Sequence, residues 1–215
     1  MQDKSVLMRI FAKQKYAMEI KAFNKWSTAG ISVADPGLKG HVGLEPKIVP
    51  KTGGRFAKQR FYKSKIFVVE RLINKLMVPG HWGKKHKRTS YTASGRSMTA
   101  YNLVEKTFEV IEQRTKQNPV KVFVEALENA AQREEIISIE YGGARYPKAV
   151  ECAPQRRIDV ALRHFTQGAF SKAFNNKKTI VEALADEIIH AYNKSSMSTA
   201  VAKKYEIERQ ADSSR

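Results

Sequence analysis

From Lys65 onward the apolar residues recur three and four positions apart, the period of an amphipathic helix. Ile66, Val69, Leu72, Ile73, Leu76 and Met77 form the first stripe, closed by Pro79-Gly80. The spacing predicts a second helix over 98–116, with Tyr101, Val104, Phe108 and Ile111 on one face. Asn118-Pro119 then predicts a third start, because Asn caps and Pro loses no hydrogen bond at the first helical position. Its stripe is Val120, Phe123, Val124, Leu127 and Ala131. A fourth helix is expected from Pro154, with Ile158, Ala161, Leu162, Phe165 and Ala169. A fifth starts at Thr179, where Glu182 completes a capping box, and runs through Val181, Leu184, Ile188 and Tyr192. A sixth covers 199–211. Each stripe needs a partner face, so the expected fold is mainly α, a six-helix bundle.

One segment obeys a different period. Ile137, Ile139 and Tyr141 alternate with Ser138 and Glu140, and Gly142-Gly143 separates them from a second run, Ala144 to Val150. Two glycines between alternating runs predict a two-stranded antiparallel ribbon at 136–152 with a turn of positive φ. Pairing Tyr141 with Ala144 sets Ile139 opposite Tyr146, Glu140 opposite Arg145 and Ser138 opposite Pro147. In that register Pro147 occupies a non-hydrogen-bonded pair, so its missing N–H costs the ladder nothing. A lone ribbon is marginal in water and needs packing or a ligand.

Charge changes the picture. The 215 residues carry 39 Lys and Arg against 21 Asp and Glu, a formal net charge of +18. Residues 1–97 hold 21 cations and five acids, whereas residues 98–215 hold 18 and 16, so the excess lies almost wholly in the first half. Half of the 12 glycines, and Pro36, Pro46 and Pro50, fall between residues 24 and 57, where no period of 3.6 or 2 is sustained. Residues 1–60 therefore read as a basic, largely extended N-terminal arm, and residues 61–215 as a helical domain. Such an arm repels itself in solution and orders on a polyanion, and RNA is the commonest cytosolic one.

Several classes are disfavoured. The longest apolar run, Ile66 to Val69, is far short of the ~20 residues a membrane span needs, so no membrane partner is expected. The opening residues lack the apolar stretch of a secretory signal. A single cysteine, Cys152, cannot form an intrachain disulfide and reads as a small packed residue at the end of the ribbon. Gly80 to Lys85 is two residues too short between its glycines for a phosphate loop and lacks the following Ser or Thr. The five histidines pair with no Cys or carboxylate at metal spacing. No catalytic residues, metal, cofactor or small-molecule substrate are expected.

Candidate RNA contacts follow from the cations. Arg55, Lys58, Arg60, Lys63 and Lys65 interleave with Phe56, Phe61 and Tyr62. Cations neutralise phosphates and release counterions, while rings stack on unpaired bases. Phe61 and Tyr62 have a second reading, as residues closing the core beneath the first helix. Lys84, Lys85, Lys87 and Arg88 form another cluster, between Gly80 and Gly95. Arg156 and Arg157 stand in the first turn of the fourth helix, where the dipole makes cations unfavourable by a few tenths of a kcal/mol. A phosphate would offset that cost; pairing with Asp159 or Glu151 is the plainer alternative. Arg145 and Lys148 on the ribbon complete the set with Lys203 and Lys204 on the last helix, although Glu140 can take Arg145 instead.

Asn118-Pro-Val-Lys-Val-Phe-Val-Glu-Ala-Leu-Glu-Asn, the Gly142-Gly143 hairpin and Pro154-Gln-Arg-Arg157 closely resemble the universal small-subunit ribosomal protein seven family, called five in eukaryotes. Gly54-Arg-Phe-Ala-Lys-Gln-Arg-Phe, Val69 to Met77, Lys178 to Ile189 and the tail from Ser195 to Ala211 match in order. Phe23-Asn-Lys-Trp-Ser and the long arm around it look like the archaeal and eukaryotic branch. The resemblance implies a cytoplasmic ribosomal constituent that binds small-subunit rRNA in its 3′ major domain, contacts neighbouring small-subunit proteins and nucleates assembly of the subunit head. It also implies a hairpin near the messenger exit path and the exit-site tRNA. A basic helical DNA- or RNA-binding regulator is the alternative; it would bind duplexes selectively, as dimeric half-sites.

Overall fold

A computed structural model describes residues 20–45, 47–48, 59–78 and 95–215. Among these residues six α-helices follow one another: α1 (Val68–Leu76), α2 (Ser97–Thr115), α3 (Pro119–Ala130), α4 (Pro154–Ala173), α5 (Ile180–Tyr192) and α6 (Thr199–Ser213). A 3₁₀ turn, Tyr62–Lys65, leads into α1, and the ribbon strands β1 (Glu134–Tyr141) and β2 (Ala144–Glu151) stand between α3 and α4.

The expected start signals act as such. Asn118 Oδ1 accepts from Val120 N–H at 3.0 Å with Pro119 in the first turn of α3. Thr179 and Glu182 exchange both capping-box bonds at the head of α5. The buried stripes meet around α5, which lies against α2, α3 and α4; α1 packs on α2 and α4, and α6 closes the bundle against α4 and β1. Val104, Phe108, Phe123, Leu127, Leu162, Phe165 and Ile188 fill the centre.

The ribbon has the register set by its glycine pair: Tyr141 opposite Ala144, Ile139 opposite Tyr146, Glu140 opposite Arg145 and Ser138 opposite Pro147. Gly142 and Gly143 have φ of 59° and 82°, a backbone that most side chains avoid. The root of the ribbon is packed: Cys152 N–H donates to Arg133 O at 2.8 Å, and Cys152 is buried there. Its tip projects.

Residues 20–45 depart from a simple arm. They form no long element, yet Ala22, Phe23, Trp26, Val33, Leu38 and Val42 are buried in the main core. Ala22 and Trp26 close a tight turn with Phe23 and Asn24 at positive φ. The Phe23 ring packs on Trp26, Tyr101 and Phe108 at centroid distances of 5.8, 4.8 and 6.0 Å. Trp26 Nε1 donates to Glu112 at 3.0 Å, and Asn118 Nδ2 donates to Ser27 O at 2.6 Å. Further on, Val68 N–H donates to Gly43 O at 3.1 Å. A Cβ on Gly43 would stand 2.3 Å from Ile66 O, so only glycine fits this approach. The lack of an apolar stripe is thus compatible with burial, because isolated anchors separated by turns leave no periodic trace. Residues 1–19 and 49–58 lie outside the described residues.

Candidate nucleic-acid interface

Arg60 to Lys65 flank the entrance to α1. Phe61 takes φ 61° and ψ 2°, a left-handed backbone that costs a bulky L-residue of order 1–3 kcal/mol. Its ring is 56 % exposed, and the Arg60 guanidinium lies 5.0 Å from its centroid. Tyr62 is exposed as well. The reading of these rings as core closure is therefore corrected: they face solvent beside cations, as stacking chemistry requires. Lys65 is exposed. Lys63 is half-buried and paired with Asp159 of α4. Arg71 shares that carboxylate at 3.2 Å and donates a second bond to His41 O at 3.2 Å. These cations hold Asp159 below the usual carboxylate range although burial pushes it upward.

The two arginines at the head of α4 separate. Arg156 Nε reaches Glu135 at 2.6 Å, but its side chain remains more than half exposed and keeps donors for a further acceptor. Arg157 is 7 % exposed. Its Nε donates to Gln132 O at 3.0 Å, and Nη2 pairs with Asp35 at 2.6 Å. Asp35 also accepts from Gly37 N–H at 2.8 Å. Arg157, expected as a phosphate contact, instead has its Nε and Nη2 donors engaged within the protein and joins α4 to the 33–42 segment. Its partner is 122 residues away, not the neighbouring Asp159 or Glu151.

On the ribbon, Arg145 and Glu140 approach to 3.5 Å with both side chains mostly in water, a contact that salt screens easily. Lys148 is exposed. Ile137, Ile139, Tyr141 and Tyr146 share its face by register and are all exposed, Tyr141 by 81 %. On α6, Lys203 pairs with Glu206 one turn on at 2.6 Å in solvent. Lys204 instead donates to Asn129 O at 2.9 Å, and burial lowers its pKa, so it ties α6 to α3. Arg55, Lys58, Lys84, Lys85, Lys87 and Arg88 lie outside the described residues.

Among the described residues no cluster of His, Cys, Asp and Glu could hold a metal ion, and no helix is long and apolar enough to cross a membrane. Burial and the nearby Arg163 and Lys203 lower His164 to about 4, keeping it neutral in the fold at neutral pH.

A helical body with an exposed cationic and aromatic flank and a projecting ribbon has the make-up of a polyanion-binding protein. The chain belongs to the ribosomal protein S7p/S5e family, whose model matches residues 39–215. It is 54 % identical over 198 residues to the small ribosomal subunit protein uS7 of Nanoarchaeum equitans, covering 92 % of this chain and all of the relative. It is 46 % identical over 197 residues to the uS7 protein of Archaeoglobus fulgidus, covering 92 % of this chain and 96 % of that one. The chain is thus of the archaeal type.

Proposed function

We propose that this protein is a structural, non-enzymatic component of the small ribosomal subunit that works in the cytoplasm, binding rRNA and neighbouring subunit proteins. Family membership across most of the chain carries this reading. The finer role follows from the family resemblance: binding in the 3′ major domain, nucleation of the head, and a hairpin near the outgoing messenger and the exit-site tRNA. Arg60, Phe61 and Lys65 offer a flank suited to unpaired nucleotides, combining charge with an open ring. Lys63, Arg156 and Lys203 add partly neutralised charge, and Arg55, Lys58, Lys84, Lys85, Lys87 and Arg88 supply the remainder. Arg145, Lys148, Tyr141 and Tyr146 give the ribbon the same combination. Sedimentation tests the role directly: the endogenous protein should travel with small subunits through a high-salt wash. Recovery wholly in the free fractions would refute it.

A further inference from the structure

The ribbon leaves the body through a short root. Arg133 stands one residue ahead of β1, and its C=O accepts the Cys152 N–H at 2.8 Å, tying the two ends of the ribbon together. Its own N–H is taken by α6, where Glu208 Oε1 accepts it at 3.0 Å. The next two residues point to opposite faces of the ribbon, because side chains alternate along a strand. Glu134 is bound by Arg215, just past α6, with its two carboxylate oxygens 2.5 and 2.6 Å from Nη2. Glu135 is bound by Arg156 of α4 at 2.6 Å. Beyond them, among the described residues, Ile136 to Ala149 form no hydrogen bond or ion pair with the body. The direction of a projecting ribbon is thus fixed at three consecutive residues, by two helices acting on its two faces.

The far half of α6 is held largely by polar groups. Its start is fixed independently, by Glu187 accepting from Ser198 and Thr199, and past the first turn of the helix Ala211 alone is buried. Lys204 adds a bond to Asn129 O in the last turn of α3 at 2.9 Å. A cleft of about 290 Å³ lies between this half of α6 and the ribbon root, which Glu208 and Arg215 bridge. We propose that α6 is a strut for the ribbon, with Glu208 and Arg215 as positioning residues that set the angle at which the ribbon leaves the body against the opposing hold of Arg156. The use of that angle rests on the reading of the ribbon as the element that reaches messenger and exit-site tRNA; the strut itself does not.

The test measures distances between paired spin labels on the full chain, in a Cys152→Ser background that keeps an acceptor for Gln132. One label is carried by Tyr141→Cys at the tip, the other by Gln210→Cys on α6 or Gln113→Cys on α2, all exposed positions. The tip lies six residues past Glu135, about 20 Å along a strand, so a swing of about 15° moves it by about 5 Å. Glu208→Ala with Arg215→Gln should broaden both distance distributions and lengthen the mean from position 210 by about that amount. Arg156→Gln should shift the same mean the other way. Glu208→Gln with Arg215→Lys, which keeps an acceptor and a charge, should restore the parent distribution. Unchanged distributions overturn the proposal. So does a change seen only from position 210, which means that α6 came loose while the ribbon stayed. Subunits reconstituted with the Glu208→Ala, Arg215→Gln protein should assemble and retain exit-site tRNA differently from the parent. Unaltered retention beside a broadened distribution overturns the reading of the ribbon's task and leaves the strut in place.

Discussion

Replacing Arg157 by methionine separates two uses of one side chain. As a phosphate ligand, Arg157 would matter to RNA affinity and little to the free fold. Its position predicts the opposite. The change removes a donor to Gln132 O and strands Asp35, whose other partner is Gly37 N–H. Loss of one member of a fully buried ion pair costs about 3–5 kcal/mol. Asp35 keeps a fifth of its side chain in water and one backbone donor, so about 2–3 kcal/mol is expected. For a chain of this length that corresponds to a fall of roughly 4–12 °C in melting temperature. Hydrogen exchange should quicken chiefly in residues 33–42, which the pair holds against α4. Asp35→Asn on the same background should recover part of the loss, since a neutral pair leaves no stranded charge. Calorimetry and exchange on the free protein provide the assay. Unchanged stability with weakened rRNA binding would refute this placement and restore the phosphate reading.

Three further outcomes follow from other contacts. Glu187 is wholly buried and accepts from Ser198 Oγ, Thr199 N–H, Thr199 Oγ1 and Lys172 Nζ at 2.8–2.9 Å, which anchors the start of α6; Glu187→Gln should cost about 2–3 kcal/mol in urea unfolding, and an unshifted midpoint would contradict it. His164, lowered from 6.5 to about 4, takes up its proton in the unfolded chain first, so stability should decline as pH falls from 6.5 towards 4. His164→Asn should flatten that interval, while the loss below pH 4 persists because Asp35 and Asp159, both lowered, are protonated only there. Replacing Glu140–Arg145 by an Asn-Gly turn preserves the 139–146 pair and should leave the melting temperature within about 2 °C, the tip being exposed; reconstituted subunits would then assemble normally but retain exit-site tRNA differently, and collapse of assembly would make the ribbon a primary rRNA anchor.

Where local chemistry decides the outcome, the sequence was readable. Asn118-Pro119, the Thr179–Glu182 box and Gly142-Gly143 each set a start or turn within four residues; the ribbon register follows from the glycine pair, and the six helices of the described residues follow from their apolar stripes. The 20–45 segment was not readable, because its burial depends on single residues such as Phe23 and Leu38 meeting surfaces made later in the chain. The same holds for Arg71. It sits in a helix buried on nearly every side, and only the fold brings Asp159 to it.

Charge counted along the chain and charge offered at a surface are different quantities, and the fold converts one into the other. Lys25 pairs with Glu105 and Glu109, and Lys63 and Arg71 with Asp159, so acids of the nearly neutral half neutralise cations of the basic half. Arg157 runs in the reverse direction, spending an acid from the first half. The net charge of +18 survives this exchange, but its distribution does not: paired cations become structural, and the unpaired ones define the polyanion surface. Among the described residues the second group includes Arg60 and Lys65 at the entrance to α1 and Lys148 on the ribbon, with Lys39, Lys106 and Lys116 elsewhere on the surface. Single-cation variants at Arg60, Lys65 and Lys148 should therefore flatten the salt dependence of rRNA binding more than variants at the paired Lys25 or Arg114. If salt slopes of single-cation variants were instead equal around the whole surface, the binding would be diffuse, and this partition of cations would have no functional meaning.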